Sequence, residues 1–140
     1  MERILVSACL LGVNCKYNGG NNYNDKINEY LKDKSIILVC PEIMGGLGIP
    51  RIPVEIKNGK AINKDGLDVT KYFVRGAEEV LELVKKYNIK QAILKSKSPS
   101  CGYNKVYDGT FSGKLIEGNG FTAELLKNNG VNILTEKFFT

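Results

Sequence analysis

Short apolar runs alternate along this chain with longer segments whose apolar residues recur every three or four positions. Residues 3–8 contain Ile4, Leu5 and Val6 in succession. Such a run reads as a strand buried on both faces, as in a parallel sheet. Residues 36–39 (Ile-Ile-Leu-Val), 91–95 and 131–134 repeat the design and predict three more strands, the second also buried. Between them, Ile27, Tyr30 and Leu31 give a stripe over 25–32, with Asn24 as the expected cap. Phe73, Ala77, Val80, Val84 and Tyr87 give the longest stripe, a helix over 69–87 capped by Asp68 and stopped by Asn88. A last helix is expected over 121–127, with Gly130 beyond its end.

The remaining segments read as loops and hairpins. Residues 10–23 are rich in glycine and asparagine. The prolines and glycines of residues 41–53 predict no regular structure there, and Arg51 and Glu55 are placed to bridge across the end of that loop. Residues 54–57 and 60–62 flank Asn58-Gly59, the signature of a hairpin with a two-residue turn. Residues 102–118 form an irregular, glycine-containing excursion with room for a short hairpin. Strand and helix in alternation predict an α/β fold: a compact three-layer, Rossmann-like domain with a mostly parallel sheet of about four strands. In such sheets ligands bind beyond the carboxyl ends of the strands.

Composition narrows the chemistry. The 140 residues suit one domain, expected to span 1–140. With no apolar run of bilayer length and no signal-peptide plan, the expected location is cytoplasmic, without a membrane partner. The formal charge of +5 comes largely from dispersed lysines. It permits a nucleic-acid partner but suits plain solubility better. There is no histidine. Ser-His-Asp and Cys-His catalysis and His-containing zinc deaminase sites are therefore excluded. Proton transfer near neutral pH must use a carboxylate, cysteine, lysine, tyrosine or water.

The four cysteines are Cys9, Cys15, Cys40 and Cys101. In a cytosolic chain they are metal-binding, catalytic or buried more often than disulfide-bonded. Cys9 follows the first strand and Cys40 the second. Cys101 follows the third within Ser96-Lys97-Ser98-Pro99-Ser100-Cys101-Gly102, where Pro99 opposes continuation of the strand and Gly102 allows a tight turn. Parallel strands therefore place all three on one rim of the sheet. Thiolates there suit zinc or an iron–sulfur cluster, and spacing alone does not choose: the close C-x₂₋₄-C pair common in zinc sites is absent, while cluster ligands occur at varied spacings. A phosphatase-type nucleophile at Cys9 is disfavoured, because its loop offers Lys16 but no arginine to cradle an anion. No GxGxxG or Walker pattern supports a nucleotide cofactor.

Taken together, Ser7-Ala8-Cys9-Leu10-Leu11-Gly12, Cys40-Pro41-Glu42 with Gly45-Gly46-Leu47, Pro50-Arg51-Ile52-Pro53-Val54-Glu55, and Ser98-Pro99-Ser100-Cys101-Gly102 resemble the thiouracil desulfurase family. The resemblance implies a [4Fe-4S] cluster held by only three cysteines, which fall on Cys9, Cys40 and Cys101. It implies removal of sulfur from a thiolated nucleobase such as 2-thiouracil, bound through sulfur at the open iron, to give the oxygenated base and hydrogen sulfide. It places the acid/base carboxylate on Glu42 and the assisting serine on Ser100 or Ser98. The substrate class it implies is a free base or nucleoside. Lys16-Tyr17-Asn18-Gly19 departs from the family's Arg-Tyr-Asp-Gly, and Cys15 occupies a position the family pattern does not require. The competing reading is a non-catalytic module, stabilised by zinc or an iron–sulfur cluster, with a basic surface for nucleic acid.

Overall fold

In the computed structural model, which describes residues 2–139, the chain runs β1 (Arg3–Ser7), α1 (Asp25–Tyr30), β2 (Ser35–Val39), α2 (Pro41–Met44), β3 (Val54–Lys57), β4 (Lys60–Asn63), α3 (Thr70–Lys86), β5 (Gln91–Leu94), β6 (Lys105–Tyr107), β7 (Leu115–Glu117), α4 (Phe121–Asn128) and β8 (Asn132–Thr135). Turns of 3₁₀ helix follow β1 at Ala8–Leu11 and β8 at Glu136–Phe139. Met1 and Thr140, the two ends of the expected 1–140 domain, lie outside the described residues. Four strands form one sheet in the order β2-β1-β5-β8, and every pairing in it is parallel. The expected α/β fold is therefore the observed one. Two antiparallel hairpins, β3-β4 and β6-β7, stand outside this sheet.

Strand periodicity divides the core into two layers. Leu5, Ala92, Leu94 and Ile133 face α3 and α4, where Val80, Val84, Ala123 and Leu126 close against them. Ile4, Val6 and Ile93 face the other way, against Ile27 and Leu31. The third layer is thus a single short helix and its flanking loops. Asn24 caps α1 as expected, accepting the Ile27 N–H at 3.0 Å; the N-cap of α3 is Val69 rather than Asp68, which accepts the Thr70 N–H at 2.9 Å from one residue further out. The Asn58-Gly59 turn has both residues at positive φ, 52° and 76°, as a type I′ hairpin requires.

Two expectations need correction. The strand over 36–39 is not buried on both faces, because β2 is the edge of the sheet: Ile36 and Leu38 are 37% and 45% exposed. The stretch 41–53 is not wholly irregular, because Pro41–Met44 form one helical turn. Proline at the first helical position is well suited to start it, since its missing N–H has no partner to lose there.

That turn is fixed by unusually close packing. A Cβ built on Gly45 would collide with the Tyr72 carbonyl of α3, and one built on Gly76 with the Pro41 carbonyl. The backbones of α2 and α3 therefore touch directly. Gly76→Ala is expected to destabilise the fold by about 3 kcal/mol, at the upper end for overpacking, because backbone rather than a flexible side chain must give way. Urea unfolding measures this; a loss under about 0.5 kcal/mol would show that α2 is free to shift.

Candidate active site

Cys40 is the residue immediately before α2, at its N-cap. Cys9 lies in the 3₁₀ turn that begins where β1 ends. Cys101 lies in the loop after β5. These are the carboxyl ends of three neighbouring parallel strands, and Cys9, Cys40 and Cys101 all line one cavity of about 490 Å³. Glu42, Ser98 and Ser100 line it as well, so the structure brings together all six residues singled out in the sequence. Cys15 also reaches the wall of this cavity and is buried.

The loop after β5 is held by its serines. Ser98 Oγ accepts the N–H groups of Ser100 and Cys101 at 3.1 and 3.0 Å. A hydroxyl so engaged points its own proton outward, toward Ser100 Oγ at 3.0 Å. Ser100 Oγ in turn donates to Glu42 Oε2 at 3.1 Å. The result is a directed chain from Ser98 through Ser100 to Glu42. Ser100, not Ser98, is the serine in contact with the carboxylate. Gly102 closes the turn with its N–H on the Ser98 carbonyl at 2.8 Å, and a Cβ there would meet that same carbonyl at 2.5 Å.

Glu42 is gripped from its other side by Arg51, whose Nε donates to Oε1 at 3.0 Å; the two side chains are 8% and 14% exposed, arginine first. The expected Arg51–Glu55 bridge is therefore not the one formed. Glu55 instead accepts the N–H groups of Gly109 and Phe111, both at 3.0 Å, tying β3 to the 102–118 excursion.

The thiols differ in their environments. Cys9 is held below the usual thiol range chiefly by a hydrogen bond from Cys15, against burial, with help from Asn22, whose amide reaches its sulfur at 3.4 Å, and from the Lys95 charge. Cys40 is lowered in the same way by Cys15, then by the Ile43 N–H at the start of α2 and by Arg51. Cys15, whose single S–H is shared between the two contacts, is correspondingly raised. Burial pushes Cys101 up to about 12. Cys9 and Cys40 are thus shifted toward the thiolate and Cys101 away from it.

Sequence reasoning missed a half-buried cluster beside Cys9. Lys95 Nζ pairs with Glu136 Oε2 at 3.0 Å, and Ser96 donates to the same carboxylate through its N–H at 2.7 Å and its hydroxyl at 2.6 Å. No local motif signals a bond between the end of β5 and the turn after β8. Burial raises the Glu136 pKa, but the Ser96 donors and the Lys95 charge outweigh it, and the net shift is downward. The unfolded chain then binds a proton more readily than the folded one, so this contribution is present above the ordinary carboxylate pKa and fades as pH falls through the lower folded value. Glu136→Gln is expected to flatten that part of the acid limb of stability, read from urea midpoints between pH 6 and pH 2. Superimposable limbs would show that Glu136 carries none of it.

The donor set is uniformly soft: sulfur from three strand ends, with no imidazole. Such a set suits iron–sulfur ligation and zinc alike by ligand type. Among the described residues, however, no three cysteines or carboxylates are grouped to hold a single metal ion. Cys9, Cys40 and Cys101 instead share the lining of one cavity, with room for a group larger than one ion. Fold and site together define a parallel-sheet α/β protein with a thiol-lined centre at the switch between strands and a clamped carboxylate beside it.

Comparison with known proteins gives this class a family. The 2-thiouracil desulfurase family matches residues 4–137. The uncharacterised protein YbbK of Bacillus subtilis (strain 168) is 42% identical over 143 residues, covering 95% of each chain. A solved structure of a [4Fe-4S]-dependent thiouracil desulfidase, TudS, superposes with a TM-score of 0.92 at 38% identity, over 98% of this chain and 92% of that one. The chain belongs to the 2-thiouracil desulfurase family.

Proposed function

We propose that this chain, acting as one functional domain over 1–140, is an iron–sulfur desulfurase. It converts a thiolated pyrimidine such as 2-thiouracil, as free base or nucleoside, to the oxygenated base and hydrogen sulfide. The observation that carries this reading is the convergence of Cys9, Cys40, Cys101 and Glu42 on one cavity. The family membership and the named cofactor of the TudS neighbour support it. In this reading Cys9, Cys40 and Cys101 hold a [4Fe-4S] cluster. When bound, the cluster supplies Lewis acidity toward a soft thiocarbonyl sulfur at the iron left without a protein ligand.

The chain's own residues handle water and protons. The overall change exchanges a C=S bond for C=O with one water, so oxygen and both protons of the product sulfide come from that water. Glu42 takes one proton from water as oxygen adds to the thiocarbonyl carbon and returns it to sulfur; as the C–S bond breaks and C=O forms, the second proton passes from the added hydroxyl to sulfur by the same carboxylate. Ser100 hydrogen-bonds Oε2 of that carboxylate, and Ser98 orients Ser100. No electron transfer is needed in this scheme. Apolar and aromatic groups at the mouth, Ile52, Tyr107 and Phe111 among them, offer surfaces for a flat ring.

The test is sulfide release from 2-thiouracil by anaerobically purified and reconstituted protein, with iron and acid-labile sulfide counted on the same sample. Stoichiometric cluster with no sulfide from any thiolated pyrimidine or its nucleoside would overturn the activity. One zinc per chain in its place would favour the binding-module reading.

A further inference from the structure

Arg51 is almost wholly buried, and its guanidinium serves three separate segments. Nε donates to Glu42 Oε1 at 3.0 Å, Nη1 to the Gly48 carbonyl at 3.2 Å, and Nη2 to the Cys15 carbonyl at 2.8 Å. Its own N–H adds a bond to the Tyr17 carbonyl at 2.8 Å. One residue thus ties α2, the loop after it and the Cys15 loop into a single wall. Glu42 is consequently held at both ends, Oε1 by Arg51 and Oε2 by Ser100. A carboxylate gripped by donors on opposite sides cannot exchange its two oxygens by rotation. Oε2 is the oxygen held on the side of Ser100 and Cys101, both of which line the cavity.

We propose that Arg51 is a positioning residue for the reaction: it fixes the plane of the Glu42 carboxylate so that the oxygen shared with Ser100 is the one that meets the water. This rests on the reading of Glu42 as the base. A lysine cannot replace it, because three acceptors in three directions match a planar fork and not one ammonium point charge. The same three bonds make Arg51 the gauge of distance between the base and the wall carrying Cys15.

The test compares Arg51→Lys, Arg51→Ala and Glu42→Gln as anaerobically reconstituted holoproteins. For Arg51→Lys the expected result is wild-type iron and sulfide content, a KM close to wild type, and kcat per cluster lower by about 100-fold, the scale of a misplaced catalytic group. Added guanidinium is expected to restore part of the kcat of Arg51→Ala and none of that of Glu42→Gln. The double variant Arg51→Lys with Glu42→Gln is expected to lose no more than Glu42→Gln alone. If Glu42→Gln turns over normally, the base reading itself fails. If Glu42→Gln is inactive while Arg51→Lys keeps its kcat per cluster, the base reading stands and the positioning role is overturned. Should neither arginine variant fold, an anaerobic crystal structure of the wild-type holoprotein decides: the proposal requires Arg51 Nε on Glu42 Oε1, and a carboxylate turned away from it ends the proposal.

Discussion

Cys9→Ala, Cys40→Ala and Cys101→Ala are each expected to abolish both cluster binding and sulfide release, while Cys15→Ser keeps both. All four cysteines border the same cavity, so proximity does not separate ligand from bystander. Their attachments do. Cys9 and Cys40 sit just beyond β1 and β2, Cys40 also braced by the α2–α3 contact, and Cys101 lies in the loop after β5, its N–H fixed on Ser98 Oγ. Cys15 lies in the loop before α1, and its main chain is held independently of its side chain, through the Arg51 bond to its carbonyl. A serine hydroxyl retains a proton to donate toward Cys9 and Cys40. On the proposed ligation by three cysteines, loss of one leaves only two protein ligands, so each alanine variant should contain neither iron nor acid-labile sulfide after anaerobic reconstitution. Iron retained in full by Cys101→Ala, or lost from Cys15→Ser, would reassign the ligand set. The iron and sulfide counts are to be made without air.

Much of this arrangement was legible because its causes are local. Ile4-Leu5-Val6 and Ala92-Ile93-Leu94 are fully buried runs in the two central strands, where both sheet faces are covered. The stripe of Phe73, Ala77, Val80 and Val84 faces the core along α3. Asn24 and the Asn58-Gly59 turn act through bonds and dihedral angles within a few residues of themselves. Placing Cys9, Cys40 and Cys101 together needed one further step, that parallel strands share a rim.

What escaped the sequence depends on position in the finished fold. β2 has the composition of an interior strand, and only its place in the sheet order exposes Ile36 and Leu38. Gly45 and Gly76 resemble ordinary turn and helix glycines until two helices are brought into backbone contact. Arg51 has carboxylates at 42 and 55 within reach along the chain. Which one it meets is decided by where the loop after α2 returns, and the choice fell on the residue at the site. Glu136 and Lys95 are far apart in sequence, and only the pairing of β5 with β8 brings their flanks together. Helix and strand patterns report which face is apolar; they do not report which polar side chains will be neighbours.

Glu42→Gln is expected to leave the cluster in place and to lower sulfide release per cluster by about 10²- to 10⁴-fold, the range lost with a general acid–base group. Glutamine has the shape of glutamate, so α2 and its contact with α3 should persist. Its carbonyl oxygen can take the place of one carboxylate oxygen, against Arg51 or against Ser100. With the oxygen on Arg51, its NH₂ group can donate to Ser100 Oγ and so reverses that bond; with the oxygen on Ser100, the NH₂ faces the arginine donor and that bond is lost. Arg51 keeps its bonds to the Gly48 and Cys15 carbonyls but has no counter-charge in a buried position. Removing one partner of such a pair costs about 3–5 kcal/mol when it is deeply buried, and less here, where Glu42 retains some contact with water. A lowered melting temperature is therefore expected alongside the lost turnover, and the two effects must be separated. Activity is to be divided by iron content and measured well below the melting temperature of the variant. Ser100→Ala supplies the comparison: it removes the donor on Oε2, leaves the Arg51 pair intact, and should cost less than Glu42→Gln because the base itself remains. A Glu42→Gln protein that releases sulfide at the wild-type rate per cluster would remove the carboxylate from the chemistry and leave Arg51 and Glu42 as a structural pair that happens to border the cavity.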